Sequence, residues 1–186
     1  MTSHHSHADA SHAEAGTPAF PAADHDHGAC ARGLISRAEA DCRRRGLTLS
    51  PQRLRVLNVL AAGHAPLGAY EIIDRLAESG PRPAPISVYR ALAFLTEAGL
   101  AHRIERLNAY VACAGSHEGD DARAFLICEA CRQVGEVAAA RLGVDIDRLA
   151  ASQGFEPRSA AIEITGLCAA CRARAAETAD AATAGR

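Results

Sequence analysis

The sequence predicts an α+β protein assembled from two small units. Three observations lead there. Residues 34–98 carry apolar side chains at helical spacing, and two short alternating runs follow before Cys113. Two C-x2-C pairs, Cys128/Cys131 and Cys168/Cys171, bracket a second stretch in which strand and helix patterns alternate. Charge is divided as well: residues 31–112 hold 12 Arg against 7 acidic residues, whereas residues 1–30 hold four acidic residues and no Arg. Only the middle of the chain suits a polyanion. At 186 residues there is room for one ordinary domain or two small ones.

Residues 1–30 are low in complexity and carry six of the nine His: His4, His5, His7, His12, His25 and His27. They are expected to form a disordered tail, either solvated or a weak collector of metal. A first helix is expected over about residues 34–45, ended by Gly46. Ser50 and Pro51 supply an N-cap and a first-turn proline for a second helix, whose stripe of Leu54, Val56, Leu57 and Leu60 ends at Gly63. Gly68 opens a third helix through Ile72, Ile73 and Leu76. Pro81, Pro83 and Pro85 stiffen the link to a fourth, over about residues 86–98. Residues 100–105 and 109–113 then read as a β-hairpin.

Three helices, a short fourth and a hairpin follow the order of a winged helix-turn-helix, expected here over residues 31–114, with a helical bundle carrying an incidental Arg as the competing reading. In the fourth helix Val88, Ala91, Leu92 and Leu95 share the buried face. Arg90 lies on the opposite face near the N-terminal end, where recognition helices read base edges. Residues 115–175 read as a small α/β unit, a candidate dimerisation domain: a polar loop, strands near 123–127, 134–137 and 160–165, and a helix near 144–153. Residues 176–186 are expected to be a second disordered tail. So small a unit needs metal, dimerisation or both to hold together.

The cysteines sharpen this. C-x2-C, 36 intervening residues and C-x2-C supply four thiolates for a tetrahedral structural zinc, if the intervening strand–helix–strand brings the pairs together. A redox dithiol is the competing reading, weakened because neither pair sits in a thioredoxin βαβ pattern. Cys30 and Cys42 have no near partner and are expected to be free thiols. His102, Cys113 and Glu136, with His117 and Asp121 in the loop, form a second set of mixed N, S and O donors from both sides of the unit boundary. A cation held there would cross-link the two units, which is what a metal-sensing switch requires.

Several classes are excluded. The chain has no Lys, so Schiff-base and P-loop chemistry fall away. No apolar run approaches the roughly 20 residues of a membrane span, and no signal-like apolar segment occurs early. A soluble, cytoplasmic chain with no membrane contact is expected. There is no H-E-x-x-H, nucleophile elbow or phosphate loop, so neither an enzyme nor a small-molecule substrate is expected. A zinc-dependent enzyme stays open only if the mixed site keeps a position for water.

Six segments together carry a resemblance: residues 49–57 (LSPQRLRVL), 69–76 (AYEIIDRL), 87–95 (SVYRALAFL), 109–113 (AYVAC), 125–131 (FLICEAC) and 162–171 (IEITGLCAAC). They are similar to the ferric uptake regulator (Fur) superfamily, most closely its zinc uptake regulator (Zur) branch, over about residues 34–173. The resemblance implies a homodimeric, zinc-responsive repressor of zinc uptake genes that binds double-stranded operator DNA, with structural and regulatory zinc in each protomer. It implies DNA contacts for Tyr70, Ser87, Tyr89 and Arg90. It implies structural zinc at Cys128, Cys131, Cys168 and Cys171, and regulatory zinc at His102, Cys113 and Glu136. Aligned on the interval from Cys113 to Cys128, Asp121 falls where relatives place a His; it is the expected fourth regulatory ligand, with His117 the alternative. The Cys113 thiolate suits zinc better than iron. An iron-responsive regulator is the second reading.

Overall fold

The computed structural model describes residues 19–20, 25–115, 122–158 and 160–184. His117 and Asp121 lie outside the described residues, as does most of the expected N-terminal tail.

The first unit has four helices, α1 (His27–Arg44), α2 (Pro51–Ala61), α3 (Ala69–Glu78) and α4 (Pro85–Glu97), then the strands β1 (Ala101–Ile104) and β2 (Ala109–Ala112). α1 starts earlier than its apolar pattern, inside the segment expected to be tail. The cause is Asp26, whose carboxylate accepts the Ala29 N–H at 2.8 Å and caps the helix. α2 starts as expected, with the Ser50 hydroxyl accepting the Arg53 N–H at 3.4 Å and Pro51 in its first turn. Leu57, Leu60, Ile72, Ile73, Leu76, Leu92 and Leu95 fill one core between the helices. That core is aliphatic, as a chain without Trp requires.

β1 and β2 pair antiparallel, with His102 opposite Val111. Their link is not a bare turn: a 3₁₀ turn over Glu105–Leu107 ends at Asn108, which takes the left-handed conformation at φ 45°. Leu67 and Tyr110 exchange two backbone hydrogen bonds of 2.9 Å, which fastens the hairpin to the approach to α3.

The second unit contains β3 (Arg123–Cys128), β4 (Val134–Ala138), α5 (Ala140–Ser152), β5 (Ile162–Gly166) and α6 (Ala169–Ala184). Its sheet runs in the order β4-β3-β5; β3 is antiparallel to β4 and parallel to β5. A parallel pair cannot be joined by a tight turn, and α5 lies in the crossover that joins β4 to β5. α6 continues through most of the segment expected to be a C-terminal tail, where its Ala-rich sequence favours helix.

Leu142, Val144, Leu149, Phe155, Ile164 and Leu167 are all exposed on this unit. That is a large apolar surface for so small a body. From the N-terminal side, Phe20 packs on the cysteine cluster and Ala19 lies against β4. A Cβ at Gly135 would come within 2.7 Å of the Ala19 carbonyl oxygen, so only glycine fits there.

Candidate metal centres and nucleic-acid interface

On α4, Val88, Ala91, Leu92 and Leu95 are buried, which turns Tyr89 and Arg90 outward. The half-buried Ser87 donates its hydroxyl to the Ala84 carbonyl at 2.7 Å, closing the first turn. Tyr70 stands at the start of α3 with 65% of its surface exposed. There the Glu71 carboxylate accepts the Gly68 N–H at 2.7 Å and fixes the helix entry. Arg53 of α2 lies 3.4 Å above the Phe94 ring, pinning the outer side of α4 to its neighbour. Tyr70, Ile86 and Tyr89 are the large exposed hydrophobic side chains of α3 and α4, and Ile86 and Tyr89 share α4 with Arg90.

The two C-x2-C pairs meet. The thiol sulfurs of Cys128, Cys131, Cys168 and Cys171 all lie within 4.8 Å of one another. Cys128 ends β3, Cys131 closes the turn before β4, and Cys168 and Cys171 flank the start of α6, so the β3–β5 pairing brings both pairs to one end of the sheet. The Cys168 N–H donates to the Cys128 sulfur at 3.4 Å. Backbone N–H groups at Cys131 and Cys168 pull the Cys128 thiol down to about 6. Burial and then the neighbouring thiols push Cys131 the other way. Amides aimed at one sulfur of a convergent four-thiol pocket make a donor set that fits a tetrahedral thiophilic cation.

A second cluster joins the units. His102 on β1, Cys113 just past β2 and Glu136 on β4 bring their donor atoms within 4.8 Å of one another. Glu136 Oε1 lies 3.3 Å from His102 Nε2 and 3.1 Å from the Arg123 guanidinium, and its Oε2 accepts the Ala114 N–H at 3.3 Å. Burial raises the Glu136 pKa, but the hydrogen bond and charge of His102, with Arg123 and the Ala114 amide, outweigh it and hold the group at about 2. Burial, and then the Glu136 charge, push the Cys113 thiol up to about 12. An imidazole, a thiol and a carboxylate converging from two units fit a borderline-soft divalent cation.

A further bridge was not visible in the sequence. Glu163 on β5 accepts the backbone N–H groups of Glu105 and Arg106, at 2.6 and 3.1 Å. Cys42, expected to be a free thiol, is buried in the core of the first unit.

A winged helix-turn-helix tied by a mixed donor cluster to a cysteine-bearing sheet defines a class of metal-ligand-bearing helix-turn-helix proteins. Residues 44–165 match the Ferric uptake regulator family, and the chain belongs to that family. It is 40% identical over 138 residues to the Zinc uptake regulation protein of Escherichia coli (strain K12), a match covering 74% of this chain and 81% of that protein. It is also similar to a solved zinc uptake regulator complexed with zinc and DNA, with a TM-score of 0.74 and 38% identity, over 78% of this chain and 97% of that one. For the crystal structure of holo XcZur the TM-score is 0.70 at 36% identity, over 76% of this chain and 98% of that one.

Proposed function

We propose that the protein is a zinc-responsive, DNA-binding transcriptional repressor of zinc uptake genes, acting as a homodimer whose DNA-competent arrangement is favoured by zinc. The observation that carries this reading is the convergence of His102, Cys113 and Glu136 from both units. The thiol among them is the reason to prefer zinc over iron.

Cys128, Cys131, Cys168 and Cys171 would hold the structural ion, and His102, Cys113 and Glu136 the regulatory one, with Asp121 as fourth donor and His117 as its alternative. When bound, zinc supplies a divalent charge with a tetrahedral preference. The chain's own residues do the rest. Glu136 holds the segment after β2 through the Ala114 amide, and Glu163 holds the wing tip, so both clamp the first unit in one orientation on the second. That orientation decides how the two recognition helices of a dimer are spaced, and half-site spacing is what a two-fold operator reads. Arg90, with Tyr89 and Ser87, would read the major groove, and Tyr70 would position the protein on the backbone. The exposed apolar residues of α5 and β5 supply a dimer surface of the second unit's own. A regulator of this kind works in the cytoplasm and catalyses no reaction; none of the described helices is long and apolar enough to cross a membrane.

The deciding experiment is fluorescence anisotropy of the full chain on two duplexes, one from upstream of its own operon and one scrambled, across buffered zinc concentrations. Binding to the first should rise with zinc and reverse with chelator. Equal affinity for both duplexes, or binding indifferent to zinc, overturns the reading; a response to Fe(II) alone would transfer it to iron.

A further inference from the structure

We propose a third metal site, a His/Cys site for zinc formed by His25, Cys30 and His64 with His27 beside them, where the start of α1 meets the loop leaving α2. It shares no residue with the two clusters described above and does not depend on the repressor reading.

The donor atoms of His25, Cys30 and His64 all lie within 4.8 Å of one another. The Nε2 atoms of His25 and His64 are 2.9 Å apart, although 39 residues separate them in the chain. The His27 ring packs edge-on against His25 and tilted against His64, with centroids 5.4 and 4.7 Å apart. Both ring nitrogens of His27 are buried, with no hydrogen-bond partner among the described residues. A buried polar nitrogen left in that state is costly. A cation held by His25, Cys30 and His64 would place a charge close to these nitrogens.

Local geometry favours the arrangement. His27 and Cys30 are three residues apart in the first turn of α1, so they share one face of the helix. The Asp26 carboxylate that caps this turn also counters the positive end of the helix dipole, which would otherwise oppose a cation. Nitrogen and thiolate donors select zinc over magnesium, calcium or manganese. Cys30 is exposed, so the site is open to ions in solution.

Ligation there would reach beyond the first unit. The His64 carbonyl accepts the Val134 N–H of β4 at 3.2 Å, two residues from Glu136. The ion would hold the start of α1, the loop after α2 and β4 together.

The test uses the full chain and zinc alone. Protein equilibrated with excess zinc and desalted should retain one zinc fewer per protomer as Cys30→Ser/His64→Ala than as wild type, with unchanged far-UV circular dichroism. Should the double variant fail to fold, the exposed Cys30→Ser carries the test through cobalt. Co(II) added to zinc-retaining Cys113→Ala protein should give a thiolate-to-cobalt charge-transfer band that Cys30→Ser abolishes. Exchanging His4, His5, His7 and His12 for Ala should leave the extra zinc in place. Equal zinc content in the folded double variant and wild type, a cobalt band that survives Cys30→Ser, or loss of the ion with the four tail histidines would overturn the proposal.

Discussion

The Glu163 carboxylate accepts the backbone N–H of Glu105 at 2.6 Å, joining β5 of the second unit to the tip of the wing. Its other oxygen takes the Arg106 N–H, so one carboxylate caps a 3₁₀ turn whose first amides have no partner within the turn. This contact needs no metal, and it already favours the orientation that the His102, Cys113 and Glu136 cluster spans. Glu163→Ala should therefore weaken operator binding at saturating zinc. A charge-assisted pair of bonds at an exposed site is worth about 1 kcal/mol, or roughly fivefold in Kd. Anisotropy on the operator checks it; an unchanged Kd would show that Glu163 orients nothing.

Arg90→Ala should cost about 1–3 kcal/mol of operator affinity and relax discrimination at one base of each half-site. Tyr70→Ala should weaken cognate and scrambled duplexes alike, since a backbone contact carries no sequence information. Competition binding on single-base operator variants separates the two. Wild-type discrimination in Arg90→Ala would mean that α4 is not the reading helix.

Cys168→Ser should lower zinc content, dimer fraction and solubility together. Structural zinc contributes on the order of 10 kcal/mol to the folding of small domains. Metal analysis with analytical ultracentrifugation is the check, and a dimeric variant with full zinc content would remove the structural role.

Zinc affinity at the cluster of His102, Cys113 and Glu136 should rise with pH. With no metal the Cys113 thiol, raised to about 12, holds its proton at neutral pH, whereas Glu136, lowered to about 2, is already ionised. Ligation therefore expels one proton, and affinity should increase about tenfold per pH unit between roughly pH 7 and 8.5. Calorimetry in buffers of different ionisation enthalpy should count that proton, and Cys113→Ala should abolish it.

Asp121→Ala should weaken the regulatory site strongly, while His117→Ala leaves it near wild type, in titrations against a zinc chelator. Zinc accepts a carboxylate oxygen at about 2.0–2.2 Å, although an imidazole is the more usual partner. The reverse pattern would give the role to His117.

Much of this architecture was legible in local chemistry. Ser50 and Pro51 marked the start of α2, and Gly46 and Gly99 take positive φ where helices were expected to end. The four buried residues of α4 were readable from spacing alone, which oriented Arg90. The start of α1 was hidden because Asp26 caps it within a His- and Asp-rich run lacking an apolar stripe. α6 was hidden for the same reason: after Cys171 its Ala-rich sequence presents no apolar face. The C-x2-C pairs announced their site by spacing, and the mixed cluster by donor chemistry. Glu163 and His64 gave no local signal, because their partners lie 58 and 39 residues away.

β4 places three demands on consecutive residues. The Val134 N–H reaches the His64 carbonyl, Gly135 has room only for hydrogen beside Ala19, and Glu136 points into the mixed cluster. Ala19 in turn adjoins Phe20, which covers the four thiols. One five-residue strand is thus a common rail: it carries Glu136 of the mixed cluster and is hydrogen-bonded to the backbone of His64. An ion that pins the rail from one side alters the fit at the others, and thermodynamic reciprocity makes each such influence mutual. Rising zinc would then be registered as one collective response, steeper or shallower than the saturation of any pocket taken alone.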